Sequence, residues 1–253
     1  IEAVGNLAKR TAKRVIDIGG LVVTPGFIDP HTHVIAGSIV DVIMDYVGMA
    51  RFQTTDEVLA HITERVAETP AGEWLVFRNF DPAVQEGLDK LTFAELDPIS
   101  TDHPIVVLNA SGHLAYANSK AFEVSGVSND VEDPPGGEFV RDADGNLTGF
   151  MKNNVAYLQV TSNYPALAEA DPVEALIGLL DKWRAVGLTT VSELSLGALS
   201  QSPADAQVLA AAAQSGRLNA RIRAYPFYTL GAEAWDEAGV HQGDGNGLTR
   251  IAG

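Results

Sequence analysis

The sequence predicts an α/β fold in which parallel strands alternate with helices, as an open sheet or a barrel. Three observations carry this. Residues 105–108 are wholly apolar and mostly β-branched, the pattern of a strand buried on both faces. Residues 55–68 and 171–186 repeat apolar side chains at helical spacing instead. From Asp171 onward, helix, strand, helix and strand follow one another with short links, which is how βαβ units read.

The elements follow in order. Residues 14–23 read as extended around a Gly19-Gly20 turn. Thr24-Pro25-Gly26 breaks this stretch, and Phe27-Ile28-Asp29 starts a new strand. The helix over 55–68 gathers Val58, Leu59, Ile62 and Val66 on one face, and Pro70 stops it. Residues 74–77 form a short strand. Thr92 and Glu95 make a T-x-x-E capping box for a helical turn or two. Residues 118–124 read as helix, 133–137 as a rigid turn, and 138–141 with 147–150 as a hairpin.

The second half has a different rhythm. Asp171-Pro172-x-Glu174 is an N-cap, an N1 proline and an N3 acid. Val173, Leu176, Ile177, Leu180, Trp183 and Val186 then form a helical stripe that Gly187 ends. Residues 188–191 are a strand. Ser202-Pro203 opens a helix that closes near Gly216. Residues 221–225 are another strand, and 248–251 begin the next. The strands at Leu188 and Arg221 read as buried on both faces.

Composition narrows the function classes. The 253 residues are 46% hydrophobic and 20% charged, enough apolar content for a sizeable core. The net charge of -16 excludes a nucleic-acid surface, which needs clustered Lys and Arg, and disfavours anionic membranes. There is no cysteine, so disulfides and thiolate metal sites are excluded and a reducing cytoplasm fits. No apolar run reaches the roughly 20 residues of a membrane span.

The chemistry concentrates at "GFIDPHTHV". In a strand, residues i and i+2 project to one side, so His31 and His33 point together just past Phe27-Ile28-Asp29. At the C-terminal end of a barrel strand, two such imidazoles can hold a divalent metal, with Asp29 orienting one of them. The other reading is two polar residues in a loop after a proline. His113 in "ASGHLAYANS" follows a buried strand, where it reaches a substrate or is hydrogen-bonded within its loop. Asn118 or Ser119 would cap the helix after it. Glu193 ends the strand begun at Leu188, as a metal ligand, a substrate contact or a support for its neighbours. Asp81 in "RNFDPA" is an N-cap or shapes a pocket. His61, His103 and His241 read as structural or solvated.

"GLVVTPGFIDPHTHV" resembles the opening signature of the amidohydrolase superfamily. "EWLVFRNFDPA", "LTFAELDPISTDHPIVVLNASGHLAYANSKAF", "DPPGGEFVRDADGNLTGF" and "GLTTVSE" follow in the order of the branch that contains N-substituted formamide deformylase. The resemblance covers nearly the whole chain, with Ser111 where relatives carry an acid. It implies a (β/α)8 barrel of TIM type with a small flanking β-sandwich, and metal-dependent hydrolysis of C–N bonds other than peptide bonds.

The same resemblance implies zinc or another divalent metal, one or two ions, bound by His31 and His33 with Glu193 as a further candidate. His113 is the candidate catalytic residue, and a small molecule the substrate. Residues 1–24 would be a remnant of the sandwich, 25–36 the first barrel strand with the metal motif, 37–153 the first crossover with an inserted hairpin, and 154–253 further barrel units. The resemblance also implies that the chain is the first half of a longer enzyme, with the general base and remaining ligands beyond Gly253. A partial barrel has uncovered strand edges, which points to a homo-oligomer. The rival expectation is a truncated, non-catalytic fragment that serves as an assembly or binding module.

Overall fold

The computed structural model describes residues 3–5 and 11–253. In chain order the elements are β1 Phe27–Thr32, α1 Val34–Ile43, β2 Asp45–Tyr46, α2 Thr55–Glu68, β3 Leu75–Phe80, α3 Phe93–Leu96, β4 Ile105–Asn109, β5 Leu114–Ala117 and α4 Ser119–Val124. They continue with β6 Glu138–Arg141, β7 Leu147–Lys152, α5 Asn154–Thr161, α6 Pro165–Glu169, α7 Pro172–Ala185, β8 Leu188–Leu196, α8 Asp205–Gln214, β9 Arg221–Pro226, α9 Ala232–Glu237 and β10 Thr249–Ile251. The chain divides into two units, Ile1–Ala36 with Leu176–Gly253, and Gly37–Ala175.

The first unit holds a four-stranded sheet in the order β1-β8-β9-β10, and every pair is parallel. Parallel neighbours cannot be joined by a hairpin, so each pair needs a crossover. α8 makes the crossover from β8 to β9, and α9 the one from β9 to β10. This is the alternating parallel α/β arrangement that the sequence predicts. Among the described residues β1 and β10 are edges, so these strands form an open sheet rather than a closed barrel.

α7 begins as its sequence dictates. The Asp171 carboxylate accepts the N–H groups of Val173 at 2.9 Å and Glu174 at 3.1 Å. That satisfies donors the first helical turn leaves unpaired. Leu176, Ile177 and Leu180 are buried along the expected stripe. Val186 departs from the stripe: it lies past the last helical residue and is 73% exposed.

The strands expected to be buried on both faces are buried on one. Ile222 and Ala224 of β9 are buried, while Arg221 and Tyr225 on either side of them are exposed and Arg223 between them is half-buried. In β8, Val191 and Glu193 are buried and their neighbours half-buried. The physical reason is alternation: Arg-Ile-Arg-Ala-Tyr is the period-two pattern of a half-covered sheet.

Residues 11–24 contain the expected turn, closed by the Leu21 N–H on the Ile18 carbonyl at 3.0 Å. They join no strand among the described residues, and Val15 and Val22 are exposed. Of the expected sandwich segment 1–24, residues 1, 2 and 6–10 lie outside the described residues.

The second unit is a six-stranded mixed sheet in the order β2-β3-β4-β5-β7-β6. β2, β3 and β4 run parallel, and the remaining pairs are antiparallel. Its two faces are buried in two separate cores, as strand alternation requires. Leu75, Phe77, Ile105, Val107 and Tyr116 meet Val58 and Ile62 of α2 and Leu96 of α3. Val76, Val106, Leu108, Ala115 and Ala117 meet Phe122 of α4 and Ala156 and Val160 of α5. The fully apolar stretch of β4 follows from having helices on both sides.

The hairpin β6–β7 and the Thr92–Glu95 capping box form at the expected residues, and a second box, Thr54 with Glu57, opens α2 without having been read from the sequence. α1, β2, β5, α6 and α9 have no counterpart in the sequence reading. α5, grouped there with the barrel units that begin at Asn154, supplies core residues to the second unit. Among the described residues, no helix is long and apolar enough to cross a membrane.

Candidate metal centre

The site begins with a close approach of β1 to β8. A side chain at position 26 would collide with Thr189, so Gly26 lets β1 enter the ladder. The Phe27 N–H then donates to the Gly187 carbonyl at 2.9 Å. At the other end of β1, Thr32 lies opposite Glu193, and its hydroxyl donates to the Ser192 carbonyl at 2.8 Å. Register irregularities fall between Asp29 and Thr32 and between Glu193 and Leu196. Such bulges re-aim side chains and are common beside functional sites.

The two imidazoles come together there. The rings of His31 and His33 are 5.6 Å apart between centroids and edge to face at 89°. His33 is just past the last residue of β1, and its side chain is 51% exposed. Its Nδ1 lies 2.8 Å from Ser195 Oγ and 3.6 Å from Glu193 Oε1. The contact with the Glu193 carboxylate raises the His33 pKa above its ordinary value, while partial burial acts the other way. His31 has no ring hydrogen bond among the described residues.

Asp29 serves differently from the expectation. Its carboxylate accepts the backbone N–H of His31 at 3.0 Å, not an imidazole N–H. It therefore shapes the turn of the chain at the motif. Glu193 also differs in position. β8 runs on to Leu196, so Glu193 lies inside the strand, only 1% exposed. Both its oxygens are engaged: Oε2 accepts the Ile35 N–H at 3.0 Å and Oε1 the Ser195 N–H at 2.9 Å.

Sequence reasoning missed Ser195. The signal was available, because in a strand that continues past Glu193 the residue two further on shares its face. Ending the strand near Ser192 hid it.

The donor chemistry fits a divalent ion in part. Two neutral imidazoles are good ligands for zinc and its neighbours. Among the described residues, however, no group of three or more His, Asp or Glu side chains is arranged to hold a metal. The structure thus gathers His31, His33 and Glu193 in one place without forming a three-donor set.

His113 belongs to the second unit, on the loop between β4 and β5. Its N–H donates to Ser111 Oγ at 3.2 Å, and its carbonyl accepts the Asn153 N–H at 2.6 Å. The imidazole is exposed and has no hydrogen bond among the described residues, so the loop is held through backbone groups. Asn118 caps α4, its Oδ1 accepting the Ala121 N–H at 3.0 Å. Asp81 accepts the Ala83 N–H at 3.1 Å and so caps a turn. His103 is buried, bonded to Ser100 Oγ at 2.9 Å and the Thr69 carbonyl at 3.2 Å, a structural role.

Residues 14–252 match the family described as the Amidohydrolase family. The chain belongs to that family. It is 32% identical over 189 residues to the N-substituted formamide deformylase of Arthrobacter pascens, covering 74% of this chain and 35% of that protein. It is 30% identical over 191 residues to the exoenzymes regulatory protein AepA of Pectobacterium carotovorum subsp. carotovorum, covering 74% of this chain and 40% of that one. The chain therefore spans less than half the length of these relatives. In fold it is similar to an uncharacterized metal-dependent hydrolase from Pyrococcus horikoshii OT3, with a TM-score of 0.55 at 17% identity over 90% of this chain and 41% of the other.

Proposed function

We propose that the full-length protein is a metal-dependent hydrolase of C–N bonds other than peptide bonds, acting on an amide, formamide or cyclic amide. The observation that carries the reading is the His31–His33 pair, edge to face at the end of β1 with His33 braced from β8. Membership of the family and the likeness to a formamide deformylase support it. A divalent ion, zinc or a similar metal, would supply Lewis acidity that lowers the pKa of water and polarises an amide carbonyl.

His31 and His33 would bind the ion through ring nitrogens. Glu193 is the third candidate ligand, but with both oxygens already accepting N–H groups its place is behind His33, holding the backbone at Ile35 and Ser195. His113, exposed and with no ring hydrogen bond among the described residues, stays the candidate catalytic residue. Two imidazoles are fewer than the three protein ligands of a catalytic zinc site, so the reading needs further ligands and a general base from other residues.

The test is metal content. Elemental analysis of the full-length protein is expected to show a divalent metal, and His31→Ala with His33→Ala together to remove at least one equivalent and abolish hydrolysis of an N-substituted formamide. Unchanged metal and activity would defeat the proposal. A second reading, a non-catalytic regulatory or binding module, is favoured by the likeness to a protein described as regulatory. It predicts no metal and no turnover in the wild-type protein.

A further inference from the structure

Ser195 and Glu193 do more than fill space behind His33. Ser195 Oγ lies 2.8 Å from His33 Nδ1 and 3.5 Å from Glu193 Oε1, so the hydroxyl bridges the ring and the carboxylate. The carboxylate is itself immobilised. Ile35 and Ser195 backbone N–H groups hold its two oxygens, one from each side of the β1–β8 pair. A second tie, Thr32 Oγ1 to the Ser192 carbonyl at 2.8 Å, fixes the strand ends to each other.

A neutral imidazole carries its proton on one nitrogen, and the geometry decides which. If Nδ1 were bare, its lone pair would face a carboxylate oxygen 3.6 Å away, and the serine hydroxyl would have to turn from that carboxylate to the ring. If Nδ1 carries the proton, N–H donates to Ser195 Oγ and O–H donates onward to Glu193 Oε1. Every donor then has an acceptor, and no lone pair confronts the anion.

We infer that Ser195 is a positioning residue: with Glu193 it holds the proton of His33 on Nδ1 and leaves the Nε2 lone pair directed away from β8, ready to bind a cation. Histidines that ligate metals commonly donate their other N–H to a carboxylate, a carbonyl or water, and this orients the ring and fixes its tautomer. Here a serine intervenes between ring and carboxylate. The inference rests on the metal-site reading above only for what Nε2 binds. The tautomer itself is a property of the metal-free protein.

The experiment has two readouts on the full-length protein, with Ser195→Ala and Ser195→Thr beside wild type. The first is nitrogen NMR of 15N-labelled histidine in metal-free protein, at a pH raised until the His33 ring is neutral, which lies above the ordinary histidine value of about 6.5 because Glu193 raises its pKa. Wild type is expected to show a protonated Nδ1 and a bare Nε2 for His33. Ser195→Ala should give a mixture of tautomers, and Ser195→Thr, which keeps the hydroxyl, should restore the wild-type pattern. The second readout is zinc titration, in which Ser195→Ala is expected to weaken affinity about 10-fold or more, with threonine restoring it.

A wild-type His33 protonated at Nε2, or a tautomer that ignores Ser195→Ala, would overturn the inference even if zinc binds. The expected tautomers in a protein that binds no zinc would uphold it and sink the metal-site reading instead. Should Ser195→Ala not fold, the Ser195→Thr spectrum and the wild-type tautomer still decide.

Discussion

Asn118→Ala should destabilise the second unit far more than the loss of an ordinary helix cap. Asn118 is fully buried, and its amide makes four hydrogen bonds, all that an asparagine side chain can make. Oδ1 accepts the Ala121 N–H at 3.0 Å, which is the cap on α4, and the Ile105 N–H at 2.9 Å, which starts β4. Nδ2 donates to the carbonyls of Ser100 and His103, each at 2.8 Å. Truncation removes the cap, costing about 1 kcal/mol. It also strands the buried groups of Ile105 and His103, at about 1–2 kcal/mol each. The Ser100 carbonyl belongs to a half-buried residue, so its cost is smaller.

The sum is about 3–5 kcal/mol, a large part of the roughly 5–15 kcal/mol that holds an ordinary domain. Asn118→Ser keeps a cap acceptor and should recover about 1 kcal/mol of it. Urea denaturation of the full-length protein measures the loss as a lower midpoint at unchanged slope. Hydrogen exchange at the Ile105 and Ala121 amides assigns it to this site. A loss under about 1 kcal/mol, or undiminished protection at Ile105, would refute the reasoning.

Two further outcomes are expected. His113→Ala should lower turnover in the full-length enzyme more than it lowers melting temperature, because the loop is held through backbone groups and not through the ring; equal turnover with a reduced melting temperature would assign His113 to structure. The pairing of His33 with Glu193 should show in pH dependence. Because the folded state raises the His33 pKa, this contribution is complete below the ordinary histidine value of about 6.5 and is lost as pH rises through the raised one. The stability difference between metal-free wild type and His33→Ala should thus be larger at about pH 5.5 than at about pH 8.5. It should be small, since the ring is half exposed. Equal differences at both pH values would contradict the pairing.

Much of the architecture was legible in local pattern. The α2 boundaries, the Thr92–Glu95 box, the β6–β7 hairpin and the start of α7 depend on contacts within a few residues, so capping chemistry and periodicity suffice to read them. β5 was not legible, because Leu-Ala-Tyr-Ala is too short and too small in its side chains to announce a strand. It exists because β4 and β7 lie on either side of it. α1 likewise is preceded by no local Ser, Thr, Asp or Asn cap, since its first-turn Ile35 N–H goes to the distant Glu193, and it has too few polar residues along its length to show a face.

The site divides the same way. That His31 and His33 share one end of a strand follows from a period of two, and the sequence alone determined it. That Glu193 stands opposite Thr32, that Ser195 reaches His33, and that Asp29 turns to the backbone instead were decided by the tertiary structure. Residues about 160 positions apart meet only through the register of β1 on β8, and register is set by the whole sheet and its bulges rather than by any short stretch of chain.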